Sequence, residues 1–204
     1  MTIINQTYKP NFKAKLVATA TTPKSQFQIL EVDKVADAQA LEKIKDSFTR
    51  ENILERFPDN GLLSVSHEFI KNAFKSIYKP NTKAYMTLID GKPSGLMTFE
   101  LSKPSKYIFL DYLAVWKPDG MDKPYNNGRA LMRYLFETAL KNETQVVDLT
   151  PGFKADEFYE KLGFKKDGFD MNIDNHSIAE SIANIDKTCK FTVLKDQPTI
   201  DLVV

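Results

Sequence analysis

The chain is poor in the residues that most often carry metal, thiol or phosphate chemistry. Its 204 residues include one cysteine, Cys189, and two histidines, His67 and His176. A single thiol forms no internal disulfide, which fits a reducing compartment. So small a set of cysteine and histidine builds no zinc cluster, and no metal is expected. The sequence has no three-glycine dinucleotide fingerprint and no Gly-Lys-Ser/Thr phosphate loop. No apolar run approaches the roughly 20 residues that cross a bilayer. The first twenty residues mix Lys9, Lys13 and Lys15 with short apolar runs and lack a secretory h-region. The formal net charge is +1. No acidic block and no stripe of basic and aromatic residues accompanies it, so neither nucleic acid nor membrane is expected as a partner. A soluble cytoplasmic protein is the expectation.

What is present suits one globular core. Apolar residues make up 42% and charged residues 27%. The length fits one domain with extensions. Residues 1–25 read as a peripheral N-terminal extension, with a short strand at Leu16 to Ala20, and 26–204 read as the domain. Gln26 to Val32 reads as a strand. Asp33 is placed to cap a helix reaching Phe48, with Val35, Ala38, Leu41, Ile44 and Phe48 on one stripe. Ser66 is placed to cap a second helix, with Phe69, Ile70, Ala73, Phe74 and Ile77 at helical spacing. Ala84 to Ile89 and Pro93 to Leu101 flank Asp90-Gly91, a pair that tolerates positive φ and so favours a hairpin.

Further along, Tyr107 to Val115 reads as a buried central strand and Gly128 to Leu140 as an amphipathic helix. Gln145 to Leu149 is a strand, Lys154 to Leu162 a short helix, Lys165 to Ile173 a strand. Ser177 to Ile185 reads as helix and Phe191 to Leu194 as a last strand. The fold class is α/β (α+β): a mixed sheet with helices packed on its faces.

Chemistry concentrates between Tyr107 and Phe164. The strand Leu110-Asp111-Tyr112-Leu113-Ala114-Val115 leads through a loop to Tyr125-Asn126-Asn127-Gly128-Arg129-Ala130, which opens directly into a helix. The first turn of a helix leaves N–H groups unpaired and carries partial positive charge, which suits an anion. Gly128 and Ala130 keep bulk away, and Arg129 and Lys123 add charge for phosphate oxygens. By itself the same junction also reads as a plain helix start.

The following segment, Phe158-Tyr159-Glu160-Lys161-Leu162-Gly163-Phe164, closely resembles the aromatic-Tyr-Glu-Lys-Leu-Gly-Phe signature of the GNAT acyltransferases. Tyr112-Leu113-Ala114-Val115 resembles the strand that leads into their CoA-binding turn. The resemblance covers roughly Phe27 to Phe164 in element order. It implies a mostly antiparallel, twisted sheet with helices on both faces and a V-shaped cleft between the central strands. It implies acetyl-CoA as cosubstrate, with backbone groups of Leu113, Ala114 and Val115 pairing with the pantetheine arm. The loop and helix start, Tyr125, Asn126, Asn127, Gly128, Arg129 and Ala130, would hold the pyrophosphate. Tyr159 would donate a proton to the departing thiolate.

An attacking amine must lose a proton, and a carboxylate can accept it. Asp111 is the first candidate, being two residues from Leu113 and so expected on its face. Glu100 is the second. The implied activity is N-acetylation of a primary amine, of a small molecule or a peptide, by direct attack. The alternative is a non-catalytic acyl-CoA-binding or interaction module that retains the fold. The pattern departs from the family at Tyr125, which stands where Gln or Arg is usual, and in the loop from Val115 to Gly128, longer than usual by about five residues. The terminal extensions could shape the acceptor cleft or a homodimer contact.

Overall fold

The computed structural model describes residues 11–57, 63–118, 120–121, 126–152 and 154–203. Ten strands among them form one sheet. In chain order the elements are β1 (Asn11–Thr21), β2 (Gln26–Glu31), α1 (Ala38–Asp46), α2 (Ile53–Arg56), α3 (Leu63–Ser76), β3 (Thr82–Ile89), β4 (Lys92–Ser102) and β5 (Tyr107–Val115). There follow α4 (Asn127–Lys141), β6 (Val146–Leu149), α5 (Asp156–Glu160), β7 (Lys165–Asp167), β8 (Asp170–Asp174), α6 (Asn175–Asp186), β9 (Lys190–Val193) and β10 (Thr199–Val203). The strand order is β10-β1-β2-β3-β4-β5-β6-β8-β7, with β9 also on β1. All ladders are antiparallel except β5 with β6.

Each face of the sheet carries its own core. On one, Phe27, Ile29, Met97, Phe99, Ile108, Leu110, Val147 and Leu149 pack with Ala130, Leu131, Leu135, Phe136 and Ala139 of α4, Tyr159 of α5, and Ile178 and Ile185 of α6. On the other, Leu30, Met86, Leu88, Leu96 and Ala114 pack with Leu41 and Ile44 of α1, Ile53 of α2, and Ile70, Ala73 and Phe74 of α3. Trp116 lies in this second cluster, edge-on to Phe48 at 5.2 Å, with its Nε1 donating to the Pro93 carbonyl at 2.8 Å. Helices therefore cover both faces, because both faces of the central strands are apolar.

Several boundaries differ from the sequence reading, each for a local reason. The stretch read as peripheral supplies β1, which runs from Asn11 and is flanked by β2 on one side and by β9 and β10 on the other. Asp33 does not cap α1. Its Oδ1 accepts the N–H groups of Val35 and Ala36, making a separate turn, and Val35 stands 81% exposed. The second helix starts before Ser66, at Leu63, so Ser66 is inside it. Lys165 to Ile173 is a hairpin, broken at Gly168, whose φ is +64°. Asp174 caps α6, accepting the Ser177 N–H at 2.8 Å. The hairpin at Asp90-Gly91 forms as expected, with φ of +48° and +74°.

Candidate active site

The central strands part. β5 pairs with β6 only from Tyr107 to Leu110, ending opposite Leu149. From Asp111 to Val115 that edge of β5 has no strand beside it among the described residues, while its other edge stays paired with β4 up to Val115. A β-bulge coincides with the parting. Thr98 faces Tyr112 and Phe99 faces Leu110, so Asp111 is the extra residue. A bulge bends and twists its strand, which carries the end of β5 away from β6.

The bulge also changes which way the side chains point. Ile108 and Leu110 face the α4 side of the sheet. Beyond the bulge, Tyr112 and Ala114 face the α1–α3 side, and Leu113 packs on the α4 side. Asp111 pairs with Lys79, just past α3, at 2.7 Å. Asp111 is therefore on the face opposite Leu113, which corrects the simple alternation expected from sequence. Its side chain is 6% exposed, and its Oδ2 is buried without a hydrogen-bond partner. The carboxylate in turn holds the Lys79 ammonium above the usual lysine range. Glu100, the second carboxylate considered, is exposed.

The backbone of the free edge can be read from one bond. The Trp116 N–H donates to the Ser94 carbonyl at 2.9 Å. Hydrogen-bonding direction alternates along an antiparallel strand. Ala114 thus turns its N–H and C=O toward β4, and Leu113 and Val115 turn theirs to the unpaired edge. An extended arm lying there could add as a strand through Leu113 and Val115. Ala114, expected to share this role, turns its backbone groups to β4, and its side chain is buried in the opposite cluster.

The start of α4 stands beside this edge. Asn126 adopts the left-handed conformation, φ +62° and ψ +19°, which asparagine tolerates. Its carbonyl accepts the Ala130 N–H at 3.1 Å. Ala130 is fully buried, so the first-turn donors left for an anion are the N–H groups of Asn127, Gly128 and Arg129. The Asn127 side chain is 1% exposed and bonded inward, its Nδ2 donating to the Ser94 carbonyl at 2.8 Å and to Ser94 Oγ at 3.1 Å. Arg129 is half-buried. Tyr125 and Lys123 lie outside the described residues.

Gly128 answers to packing. A Cβ there would meet Phe158 Cζ at 3.3 Å and Val115 Cγ2 at 3.6 Å. The glycine lets the first turn of α4 lie against both β5 and α5. The signature segment is thereby brought onto the strand–turn–helix unit. Tyr159 is 7% exposed, edge-on to Phe158 at 5.1 Å and to Phe164 at 5.6 Å. Burial raises its phenol far above the usual tyrosine range, so it keeps its proton at neutral pH.

Comparison with known proteins follows the same geometry. No family model matches the sequence, and no curated protein matches it. Solved structures do match. One, from T. thermophilus and provisionally described as an acetyltransferase, superposes with a TM-score of 0.55 at 10% identity, over 79% of this chain and 92% of that one. The PaiA N-acetyltransferase from Thermoplasma acidophilum, solved in complex with coenzyme A, gives 0.50 at 17% identity, over 72% and 96%. A further chain provisionally described as an acetyltransferase gives 0.54 at 10% identity, over 82% and 95%. The fold is that of the GNAT acetyltransferases. In this chain the fold sets the parted strands and the bulge at Asp111 beside the start of α4. Among the described residues, no group of three or more His, Cys, Asp or Glu side chains could hold a metal ion. No helix among them is long and apolar enough to cross a membrane. Cys189 is buried, and burial raises its thiol, which leaves it a poor nucleophile.

Sequence reasoning missed three parts of this site: the bulge at Asp111, the Lys79 partner, and the inward turn of Asn127. The first two depend on the pairing of β4 with β5 and on the end of α3, which no local pattern encodes. Asn127 carried a faint signal, since an asparagine inside the first turn of a helix gains little from helix propensity.

Proposed function

We propose that this chain is an N-acetyltransferase that takes the acetyl group of acetyl-CoA and passes it to a primary amine by direct attack. The observation that carries the reading is the unpaired Asp111–Val115 edge of β5 set beside the open first turn of α4. A pantetheine arm is an extended chain with amide groups, and it would complete the edge through Leu113 and Val115. A pyrophosphate would accept from the Asn127, Gly128 and Arg129 N–H groups, where the helix dipole favours negative charge. One N–H of the free edge would polarise the thioester carbonyl.

The remaining groups divide the proton work. The neutral amine attacks the thioester carbon, a C–N bond forms and the C–S bond breaks. Asp111 accepts the proton that the amine gives up, through its unpartnered Oδ2 and, where needed, a water. Tyr159 donates its phenol proton to the departing thiolate. The acceptor is a primary amine of a small molecule or a peptide, and the compartment is the cytoplasm.

The test combines binding and turnover. Calorimetry with CoA should show one site per chain. Thiol release from acetyl-CoA should then rise with at least one member of a panel of amines and peptides. Failure to bind CoA would overturn the reading. Tight binding without transfer to any acceptor would move the chain to the class of non-catalytic acyl-CoA-binding modules.

A further inference from the structure

We infer that Asn127 and Ser94 form a positioning node that holds the start of α4 in fixed relation to the end of β5. This inference rests on the acetyl-CoA reading for its functional consequence, though its geometry stands alone. The Ser94 carbonyl is the shared point. It accepts the Trp116 N–H at 2.9 Å, which fixes the strand just past Val115, and the Asn127 Nδ2 at 2.8 Å, which fixes the first turn of α4. Ser94 Oγ accepts a second bond from Asn127 Nδ2 at 3.1 Å. The hydroxyl is itself held by Thr87 on the neighbouring strand, 3.1 Å from Thr87 Oγ1 and 3.2 Å from the Thr87 carbonyl. Thr87, Ser94 and Asn127 are all 1% exposed or less. Buried hydrogen bonds of this kind are geometrically strict, because each broken one leaves an unsatisfied group.

The packing around the node leaves no slack. A Cβ on Gly95 would lie 2.7 Å from Thr87 Oγ1, 3.1 Å from Asn127 Nδ2 and 3.2 Å from the Ala114 carbonyl. Residue 95 is thus restricted to glycine by the node itself. The need for a tie follows from the chain. The strand edge and the helix start are two halves of one ligand site, and they are joined by a loop longer than the fold usually has. A long loop constrains the distance between its ends only weakly. Side-chain bonds from Asn127 to β4 replace that constraint. The Asn127 side chain is therefore a positioning group, acting through Ser94, while only the backbone N–H of that residue faces the ligand.

The experiment uses the full chain with Asn127→Ala, and Ser94→Ala as the milder change. Each is measured for CoA binding and pantetheine binding by calorimetry, and for amide hydrogen exchange. Pantetheine engages the β5 edge alone, whereas CoA needs both halves. Asn127→Ala is expected to weaken CoA about tenfold, the worth of one buried hydrogen bond, with pantetheine affinity unchanged. Exchange at Ala130, Leu131 and Met132 should quicken while the β3–β4 ladder stays protected. Equal loss for both ligands, or no loss for either with exchange unchanged, would overturn the node. Should Asn127→Ala not fold, Ser94→Ala must show the same selective loss, smaller in size, or the inference fails. Absence of CoA binding by the unaltered chain would instead refute the acetyl-CoA reading, and the exchange data alone would then decide the node.

Discussion

Gly128 and Phe158 meet so closely that a methyl group on the first would lie 3.3 Å from the ring of the second. This contact joins the two segments that the sequence marks, and it assigns the glycine to packing between α4 and α5. Alanine at 128 gains about 1 kcal/mol of helix propensity and loses some of it to a small shift of the ring. Its stability should stay near that of the parent. Leucine has no such room and should cost about 1–3 kcal/mol through overpacking, with CoA affinity lowered because the first turn moves. Urea denaturation and calorimetry check both. A leucine variant as stable as the parent would show that the contact yields easily.

Tyr159→Phe removes the proposed proton donor and little else. The ring keeps its edge contacts with Phe158 and Phe164. Turnover should fall about 100-fold, the lower range for loss of a general acid, with CoA affinity unchanged. Steady-state kinetics with acetyl-CoA and a competent amine reads this directly. An unaltered kcat would remove Tyr159 from the reaction.

Four tyrosines predict an alkaline limit to stability. Burial raises Tyr85 and Tyr159 well beyond the ordinary range, and Tyr107 and Tyr134 are pushed up to about 12. In the unfolded chain each ionises near pH 10, roughly the free value. Between pH 10 and about 12 the unfolded state therefore holds fewer protons than the folded one, so stability falls as pH rises. It should be at full strength below pH 10. Tyr134→Phe should make the decline shallower. Denaturation midpoints taken from pH 8 to pH 11.5 test the sign, and a midpoint that climbs with pH contradicts it.

The Lys79–Asp111 pair should respond unequally to removal of its two members. Asp111 is 6% exposed and Lys79 is 47% exposed. Without Asp111, the ammonium turns to water at little cost. Without Lys79, a buried carboxylate loses the ammonium it pairs with. Lys79→Met should destabilise by about 1–3 kcal/mol, and Asp111→Asn by less than about 1 kcal/mol. Asp111→Asn should nevertheless depress kcat strongly, if the carboxylate takes the amine proton. Paired denaturation curves and rates separate the two effects. Equal destabilisation by both changes would mean that Asp111 is better solvated than its surroundings indicate.

Much of this fold was legible because its elements are strongly periodic. The helical stripe from Leu131 to Ala139, the Asp90-Gly91 turn and the Phe158–Phe164 segment all formed where the pattern put them. The losses share one cause: they depend on partners distant in sequence. β1 and β10 are strands because they pair with each other; only Leu16 to Ala20 of β1 reads as a strand locally, and β10 carries no such signal. Asp111 changes face because β4 leaves it unpaired, and a bulge has no residue signature of its own. Asn127 and Gly128 both stand in the first turn of α4, yet the side chain of one and the missing side chain of the other serve the interior.

The double flanking of β1 has a consequence for how the molecule assembles. β1 meets β2 at once, but its other edge is met by β9 at Ala18 to Thr21 and by β10 at Asn11 to Lys15, both made almost a whole chain later. During synthesis that edge has no strand of its own to pair with while β3 to β8 are being laid down. Contacts so distant in sequence are slow to form, and an unpaired strand edge invites foreign strands. β9 and β10 thus act as a seal on β1, and the time before they arrive is when that edge is most open to capture by another chain.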